Sequence, residues 1–296
     1  MSVRVGTRGS RLALAQTATV IKKIQSLGIE VEQKIINTQG DEVTGVPLHA
    51  IGKQGVFVRA LDDAILNNEI DCAVHSMKDI PALRPSGLIT SAILPRDSPA
   101  DFLVYSGSVS AVRIIGTSST RRRAQLLRHD PDLEIKDLRG NVDTRVKKLS
   151  EGQFHAIVLA EAGLSRLGIR IPGERLPPEK FVPTANQGTI AVVSRADPSL
   201  IEVLSVLDHS LTRKDVAIER AVMEQIGAGC FTPMGIYCKK GRLIAEVLSL
   251  DGKRTERIEK NIGTLEDARA EGTAFRSLAS DLIAEAYHTL GISYER

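Results

Sequence analysis

The sequence predicts an α/β protein that closes with a smaller α+β part, and three patterns carry that reading. Short apolar runs alternate with helical stretches through the first half of the chain and then restart. A proline-bracketed link, Pro95-Arg96-Asp97-Ser98-Pro99, separates the two rounds. Beyond Leu211 the character changes to a long helix, strands joined by hairpin signals, and a last helix.

Each element has a local reason. Val3-Arg4-Val5 reads as a strand, and Gly6-Thr7-Arg8-Gly9-Ser10 leads into a helix from Arg11 with an apolar stripe of Leu14, Ile21 and Ile24, ended by Gly28. A strand over 31–36, a glycine-rich loop, a helix from Phe57 to Asn67 and a strand over 70–75 complete a βαβαβ order, which implies a mostly parallel sheet with helices on both faces. After the link come strands near 101–105 and 113–116, a helix from Thr120, a strand over 133–138, a helix from Val142 and a strand over 156–160. Ile190–Val193 reads as a strand that returns to the first sheet. The last part has a helix from Leu211 to Ile226 and strands near 235–239, 242–250 and 254–260, with Lys240-Gly241 and Asp251-Gly252 as hairpin turns. Its final helix starts at Thr264, where Asp267 completes a capping-box-like pair. The expected domains are 1–94 with 190–208, 95–189, and 211–296.

Composition narrows the function. At 296 residues, 42% hydrophobic and 25% charged, the chain is an ordinary globular protein, with no stretch of membrane-spanning length and no signal-peptide shape at its start. Three cysteines, Cys72, Cys230 and Cys238, make no CxxC pair, so a reducing compartment, the cytoplasm, is the expectation. Net charge is only +3, yet Arg113–Lys148 holds seven arginines and three lysines against five acids. With 3% aromatic residues and no tryptophan, stacking platforms for nucleic acid are scarce, so the basicity points to a small polyanion. The histidines show no metal-ligand spacing, and no metal is expected.

Three strand-to-helix turns share one design: Gly6–Ser10, Gly116–Ser119 and Arg139–Asn141 each place small or hydroxyl residues and arginine at a helix amino terminus. Any one of them reads equally as plain helix capping; together they suggest a shared anion site. No P-loop or dinucleotide fingerprint is present. Asp71–Pro81 ends an apolar strand in ionisable groups, with Lys78 and Asp79 falling where open α/β sheets bind ligands and His75 reading as a packed strand residue. Cys230 sits in Ile226-Gly227-Ala228-Gly229-Cys230-Phe231-Thr232-Pro233, a thiol among small residues, suited to act as nucleophile, metal ligand or point of attachment.

With these residues and the runs TRGSRLALAQ at 7–16, NTQGD at 37–41, HSMKDIP at 75–81, GTSSTRR at 116–122, RGNVDTR at 139–145, LAEAGLSRLG at 159–168, NQG at 186–188 and ERAVMEQIGAGCFTPMG at 219–235, the chain closely resembles the porphobilinogen deaminase (hydroxymethylbilane synthase) family over nearly its whole length. The resemblance implies two α/β domains like periplasmic binding proteins and a small C-terminal α+β domain. It implies a transferase that condenses porphobilinogen head to tail into a linear tetrapyrrole, releasing ammonia, on a dipyrromethane cofactor held by a thioether to Cys230. Asp79 matches the family's catalytic aspartate. Arg8, Ser10, Lys78, Thr117, Ser119, Arg121, Arg122, Arg139, Gly140, Arg145, Arg166, Gln187 and Gly188 would bind cofactor and substrate carboxylates. Surrounding cations should keep Asp79 ionised. A monomer, with its product passed to uroporphyrinogen-III synthase, is also implied.

Some positions depart from the family pattern. Lys53 is displaced within Ile51-Gly52-Lys53-Gln54-Gly55, and Thr120, Asp143, Ala228 and Thr189 replace the usual residues. Two other readings stand beside the resemblance. A non-enzymatic solute receptor would leave Cys230 and Asp79 without a role. A cysteine-nucleophile hydrolase or transferase would need a base, and the nearest histidine in sequence, His209, carries no recognisable motif.

Overall fold

The computed structural model describes residues 2–37, 56–81, 84–107, 111–229 and 231–292. In chain order the described elements begin with β1 (Ser2–Thr7), α1 (Arg11–Gln25), β2 (Glu30–Ile35), α2 (Val56–Leu66), β3 (Cys72–Ser76) and β4 (Leu88–Ile93). They continue with β5 (Asp101–Tyr105), β6 (Ile114–Gly116), α3 (Thr120–His129), β7 (Glu134–Lys136), α4 (Val142–Ser150), β8 (Ala156–Ala160), α5 (Glu161–Arg166) and β9 (Gly173–Leu176). The remainder comprises β10 (Ile190–Arg195), α6 (Pro198–Ser205), α7 (Ser210–Ile226), β11 (Met234–Lys239), β12 (Arg242–Leu248), β13 (Thr255–Asn261), α8 (Leu265–Leu278) and α9 (Ser280–Leu290).

These elements gather into two compact units, one of 1–97, 165–168 and 188–213, the other of 98–164, 169–187 and 214–296. In the first unit the strand order is β2-β1-β3-β10-β4. β1 pairs in parallel with both β2 and β3, while β10 lies antiparallel between β3 and β4. Alternation explains β1: Val3 and Val5 are fully buried, whereas Arg4 points away and donates Nη2 to Asp71 Oδ1 at 2.7 Å. Ser10 caps α1, accepting from the Ala13 N–H, and the helix lays Val20 and Ile24 onto the sheet core of Val3, Val5, Cys72, Val74 and Val192.

The second unit repeats the plan with strand order β7-β6-β8-β5-β9, three parallel strands followed by antiparallel β5. Gly6 at the end of β1 and Gly116 at the end of β6 serve one purpose. A Cβ on Gly6 would lie 2.2 Å from Ile70 Cδ1, and one on Gly116 would lie 2.8 Å from the Phe154 ring. Only glycine lets the strand end pass so close to the side chains beneath it. The same unit carries an antiparallel sheet, β11-β12-β13, packed against α7, α8 and α9 through Val222, Ile226, Ala245, Phe275 and Ile283. The Asp251-Gly252 turn does more than reverse the chain. A Cβ on Gly252 would meet the Ala124 carbonyl at 2.3 Å, so this glycine seats the hairpin on α3.

The expected elements are present, and the structure adds others. β4, β9, α5 and α6 stand where the sequence pattern names no element, although Asp197 and Pro198 carry a recognisable helix start. The final helix is two: α8, opened by the reciprocal Thr264–Asp267 capping box, breaks at Ala279 before α9. Gly116→Ala should lower stability by about 1–3 kcal/mol through overpacking against Phe154. Urea unfolding at an unchanged midpoint would show that the close approach is not required.

Candidate functional site

In the first unit the burial of alternate groups aims the ionisable ones outward. Met77 and Ile80 are each 2% exposed, and the Met77 N–H donates to the Thr189 carbonyl at 2.9 Å. The three-residue 3-10 turn Met77–Asp79 between them therefore turns Lys78 and Asp79 to the surface. Asp79 lines a small pocket of about 60 Å³ with Arg8, Ser10, Gln16, His75 and Ser76. Gln16 donates Nε2 to Ser76 Oγ at 2.7 Å, which orients the floor of the pocket. Protein packed around Asp79 thins its hydration and pushes its carboxyl above the ordinary range, while Lys78 and Arg8 pull it down. The two cations favour the ionised form, as expected, but burial outweighs them, so the net direction is upward. The side chain stays exposed in area, so water still reaches the carboxylate and damps the shift. Arg166 also belongs to this unit, donating Nε to Asp97 at 2.8 Å and Nη2 to the Gly188 carbonyl at 2.6 Å.

The second unit holds the arginine-rich turns. Ser119 caps α3 by accepting from the Arg122 N–H, and Asn141 caps α4 by accepting from the Thr144 N–H. With Ser10 in the first unit, every one of the three turns is thus also an ordinary helix cap. Thr117 is buried and accepts from the Ser119 N–H at 3.2 Å. Gly140 has φ +112°, and a Cβ there would meet Thr144 at 2.7 Å; the tight turn brings Arg139 and Arg145 together. Arg145 donates Nε to the Gly140 carbonyl at 2.7 Å. Burial, then Arg122, then Arg139, push its pKa down to about 10. Two guanidinium groups acting on a third that is partly buried make a place for an anion.

Arg121 and Arg122 take a form that the sequence did not suggest. They are 5% and 7% exposed, and both grip Asp101, which is fully buried. Arg121 Nη2 donates to Oδ2 at 2.8 Å, Arg122 Nη2 to Oδ1 at 2.7 Å, and Gln187 Nε2 to Oδ1 at 2.9 Å. Arg121 Nη1 donates to the Val182 carbonyl at 2.9 Å and Arg122 Nη1 to that of Val158 at 2.9 Å. Arg122 Nε is buried with no hydrogen-bond partner. Burial alone would raise the Asp101 carboxyl; Arg121 and Arg122 outweigh it and hold it well below the usual range.

Cys230 lies outside the described residues, as do Thr38–Asp41 of the NTQGD run and Ile51–Gly55. Beside Cys230, Gly227 has φ +64°, and the Gly229 N–H donates to the Tyr287 hydroxyl at 2.7 Å. Cys72 and Cys238 are buried, and burial pushes both thiols up, Cys72 to about 12, so neither is reactive. Among the described residues no group of three His, Cys, Asp or Glu side chains could hold a metal ion, and no helix is long and apolar enough to cross a membrane.

A family model described as "Porphobilinogen deaminase, dipyromethane cofactor binding domain" matches residues 3–202, and "Porphobilinogen deaminase, C-terminal domain" matches 214–280. The chain belongs to the porphobilinogen deaminase family. Its relatives include a "Probable porphobilinogen deaminase" of Methanosarcina acetivorans, 49% identical over 95% of this chain and 93% of that protein. Another "Probable porphobilinogen deaminase", from Archaeoglobus fulgidus, is 42% identical over 97% and 99%. Among solved structures the chain is similar to the Bordetella pertussis BvgS periplasmic VFT2 domain (TM-score 0.43, 15% identity, 74% of this chain and 92% of that one) and to the methionine-binding protein MetQ (TM-score 0.42, 14% identity, 70% and 89%). Likeness at that level says nothing of what this chain binds.

In this porphobilinogen deaminase family member, sequence reasoning missed Asp101, which read only as the first residue of a strand. The available signal was a lone acid opening an apolar run, DFLVY, on a chain with an arginine pair downstream. The Gln16–Ser76 pair was missed for a similar reason, since 60 residues separate its members. Of the departures from the family pattern, Thr120 simply opens α3 behind the Ser119 cap, and Thr189 Oγ1 accepts from Arg96 Nε at 3.1 Å. Asp101→Asn should lower stability at neutral pH by about 3–5 kcal/mol, because two buried guanidinium groups lose their counter-charge. Since the folded-state pKa is depressed, that contribution is fully present above the unfolded value of about 3.9 and fades as pH falls below it. Unfolding curves of the variant and the parent should therefore converge with acidification; a difference that is constant down to pH 2 contradicts the ion-triad account.

Proposed function

We propose that the protein is a porphobilinogen deaminase, condensing four porphobilinogen units head to tail with release of ammonia and hydrolysing off hydroxymethylbilane. The observation that carries this reading is the gathering of Arg122 and Arg139 about Arg145, whose pKa is lowered by burial first and by those two cations next. Porphobilinogen and every chain grown from it carry an acetate and a propionate on each pyrrole. Such a polycarboxylate is the kind of ligand that relieves a crowded cationic site. A dipyrromethane primer fits the same donors, and Arg122 Nε, buried without a partner, is one donor that its carboxylate would satisfy.

The division of labour follows the charges. The first α/β domain, 1–94 with 190–208, carries Asp79, with Arg8, Ser10 and Lys78 for substrate carboxylates. The second, 95–189, carries the anion turns, where Thr117, Ser119, Arg122, Arg139, Gly140 and Arg145 bind carboxylates; Arg166 and Gly188, which fold with the first unit, bind them as well. Arg121 and Gln187 act chiefly by fixing Asp101, and so Arg122. The C-terminal domain, 211–296, carries Cys230, to which the primer is joined as a thioether. When bound, the primer would supply the free pyrrole carbon that accepts the first unit, and the last unit added would offer the carbon for the next. Loss of ammonia from an incoming unit leaves positive charge spread over a methylene and a pyrrole nitrogen. The Asp79 carboxylate, fixed on its short turn, stabilises that charge as it develops. Only the ionised form does this, and crowding raises its pKa, so the rate should fall with acidification at a pH above the usual carboxylate range. We assign the protein to the cytoplasm as a monomer, its product passing to uroporphyrinogen-III synthase.

The decisive test is the intact mass of the purified protein, followed by peptide mapping. An excess equal to a dipyrromethane, located on Cys230 and reacting with Ehrlich's reagent, is the expected result; an unmodified Cys230 in protein made with porphobilinogen present contradicts it. Cys230→Ala should carry no such excess. Asp79→Asn should keep the primer, lose roughly 100-fold or more in kcat, and lack the acid limb of the pH profile. Near-normal turnover by that variant would remove Asp79 from the chemistry.

A further inference from the structure

The Asp79 pocket contains a group that the scheme above leaves unused. His75 sits on β3, four residues before Asp79, and lines the same pocket. Its ring is 5% exposed, and its Nε2 is buried with no hydrogen-bond partner. A buried ring nitrogen left unpaired is destabilising, and native proteins keep such atoms chiefly where a ligand, water or ion completes them. Ala73, Val74 and His75 are paired to β10 at Val193, Val192 and Ala191, which fixes the backbone.

The chemistry of the pocket says which partner is missing. Arg8 and Lys78 supply positive charge suited to carboxylates, so the acid groups of a substrate are already served. An aminomethyl ammonium is different: it has three N–H donors and needs acceptors. Ser10 Oγ already accepts from the Ala13 N–H, and Ser76 Oγ from Gln16. The Asp79 carboxylate can accept part of this set, and His75 Nε2 is a further acceptor that its surroundings leave unpaired. Building on the deaminase reading, we propose that His75 contacts the substrate, its Nε2 accepting a hydrogen bond from the aminomethyl ammonium of the incoming porphobilinogen and holding it beside Asp79.

A neutral acceptor is what this step needs. Burial, then Arg84 and Arg8, push the His75 pKa down to about 3, so the imidazole stays uncharged and cannot strip a proton from an alkylammonium. The nitrogen therefore remains fully protonated until it departs. The C–N bond breaks, its electron pair goes to nitrogen, and ammonia leaves with all three hydrogens. The positive charge passes to the methylene and the pyrrole ring, next to Asp79, and the imidazole neither gains nor loses a proton. A histidine of ordinary pKa would be partly protonated near neutrality and would repel the ammonium.

The test compares holoenzymes carrying His75→Phe, which keeps the ring's bulk without its nitrogens, and His75→Gln, which keeps a polar atom near the Nε2 position. Each is assayed with porphobilinogen and with the analogue bearing hydroxymethyl in place of aminomethyl. His75→Phe should lose about 10–100-fold in kcat/KM on porphobilinogen but only a few-fold on the hydroxymethyl analogue, and His75→Gln should recover part of the loss. Equal losses on both substrates, or no loss, overturn the proposal. A second measurement needs no variant. The wild-type holoenzyme, labelled with ¹⁵N at its six histidines, is titrated with a benzene-ring analogue of porphobilinogen that keeps the aminomethyl and acid groups but cannot expel ammonia. One Nε2 resonance, that of His75, should move on binding, and silence at that nitrogen overturns the proposal. Absence of primer and of turnover in the wild type would sink the deaminase reading and this inference together. Normal turnover with a silent Nε2 sinks this inference alone.

Discussion

A single buried carboxylate, Asp101, sets the arrangement on which the anion site of the second unit depends. It opens β5 with no solvent exposure and takes donors from Arg121, Arg122 and Gln187. An isolated charge in that position would be strongly destabilising, so Asp101 and the two guanidinium groups require one another. The result is a helix, α3, whose first turn carries two arginines that face inward rather than into water. Glu246 repeats the device further along the same helix. It is also fully buried, and it accepts from Gln125 at 2.5 Å and from Arg128 and Arg257 at 3.0 Å. Buried acids thus clamp α3 near both ends, and the arginines at its start are held in one orientation.

That clamp sharpens a contrast with the neighbouring arginines. Arg121 is neutralised by Asp101, whereas Arg145 loses basicity to burial first and then to the nearby Arg122 and Arg139. Positive charge is therefore compensated around Asp101 and concentrated near the α4 turn, where Arg122, Arg139 and Arg145 act on one another. The first unit shows the complementary case. There one carboxylate, Asp79, stands among Arg8 and Lys78 on a turn fixed by the burial of Met77 and Ile80. A fixed negative group among cations is suited to meet a substrate that is itself a polycarboxylate with one cationic end.

Much of this was legible in the chain. Alternating strands and helices, the Ser10, Ser119 and Thr264 caps, and the Lys240-Gly241 and Asp251-Gly252 turns are local signals, and the structure has an element at each. What was not legible is non-local. Asp101 acquires its role from residues 20 and 21 positions later and from Gln187, 86 positions later. The Arg121-Arg122 pair looked like two ligands because sequence gives charge but not burial, and burial decides which face of a helix an arginine serves. Asp79 was read as held ionised by its neighbours, yet the surrounding protein opposes them. Desolvation has no sequence signature at all. The elements β4, β9 and α5 escaped because LITSAI, GERL and EAGLSR show neither strict alternation nor a helical stripe.

The central claim is that Asp101 fixes the arginines of a polycarboxylate site in the second unit. The most direct measurement is calorimetric titration of Cys230→Ala protein, free of any primer, with a soluble dipyrromethane tetracarboxylate, with and without Asp101→Asn, at a temperature where both remain folded. If Asp101 holds the site, the second substitution should weaken binding by about tenfold or more, the equivalent of roughly one charge-assisted hydrogen bond. Equal affinity in the two proteins would show that the arginines find the ligand without Asp101, and the account would be wrong at its centre.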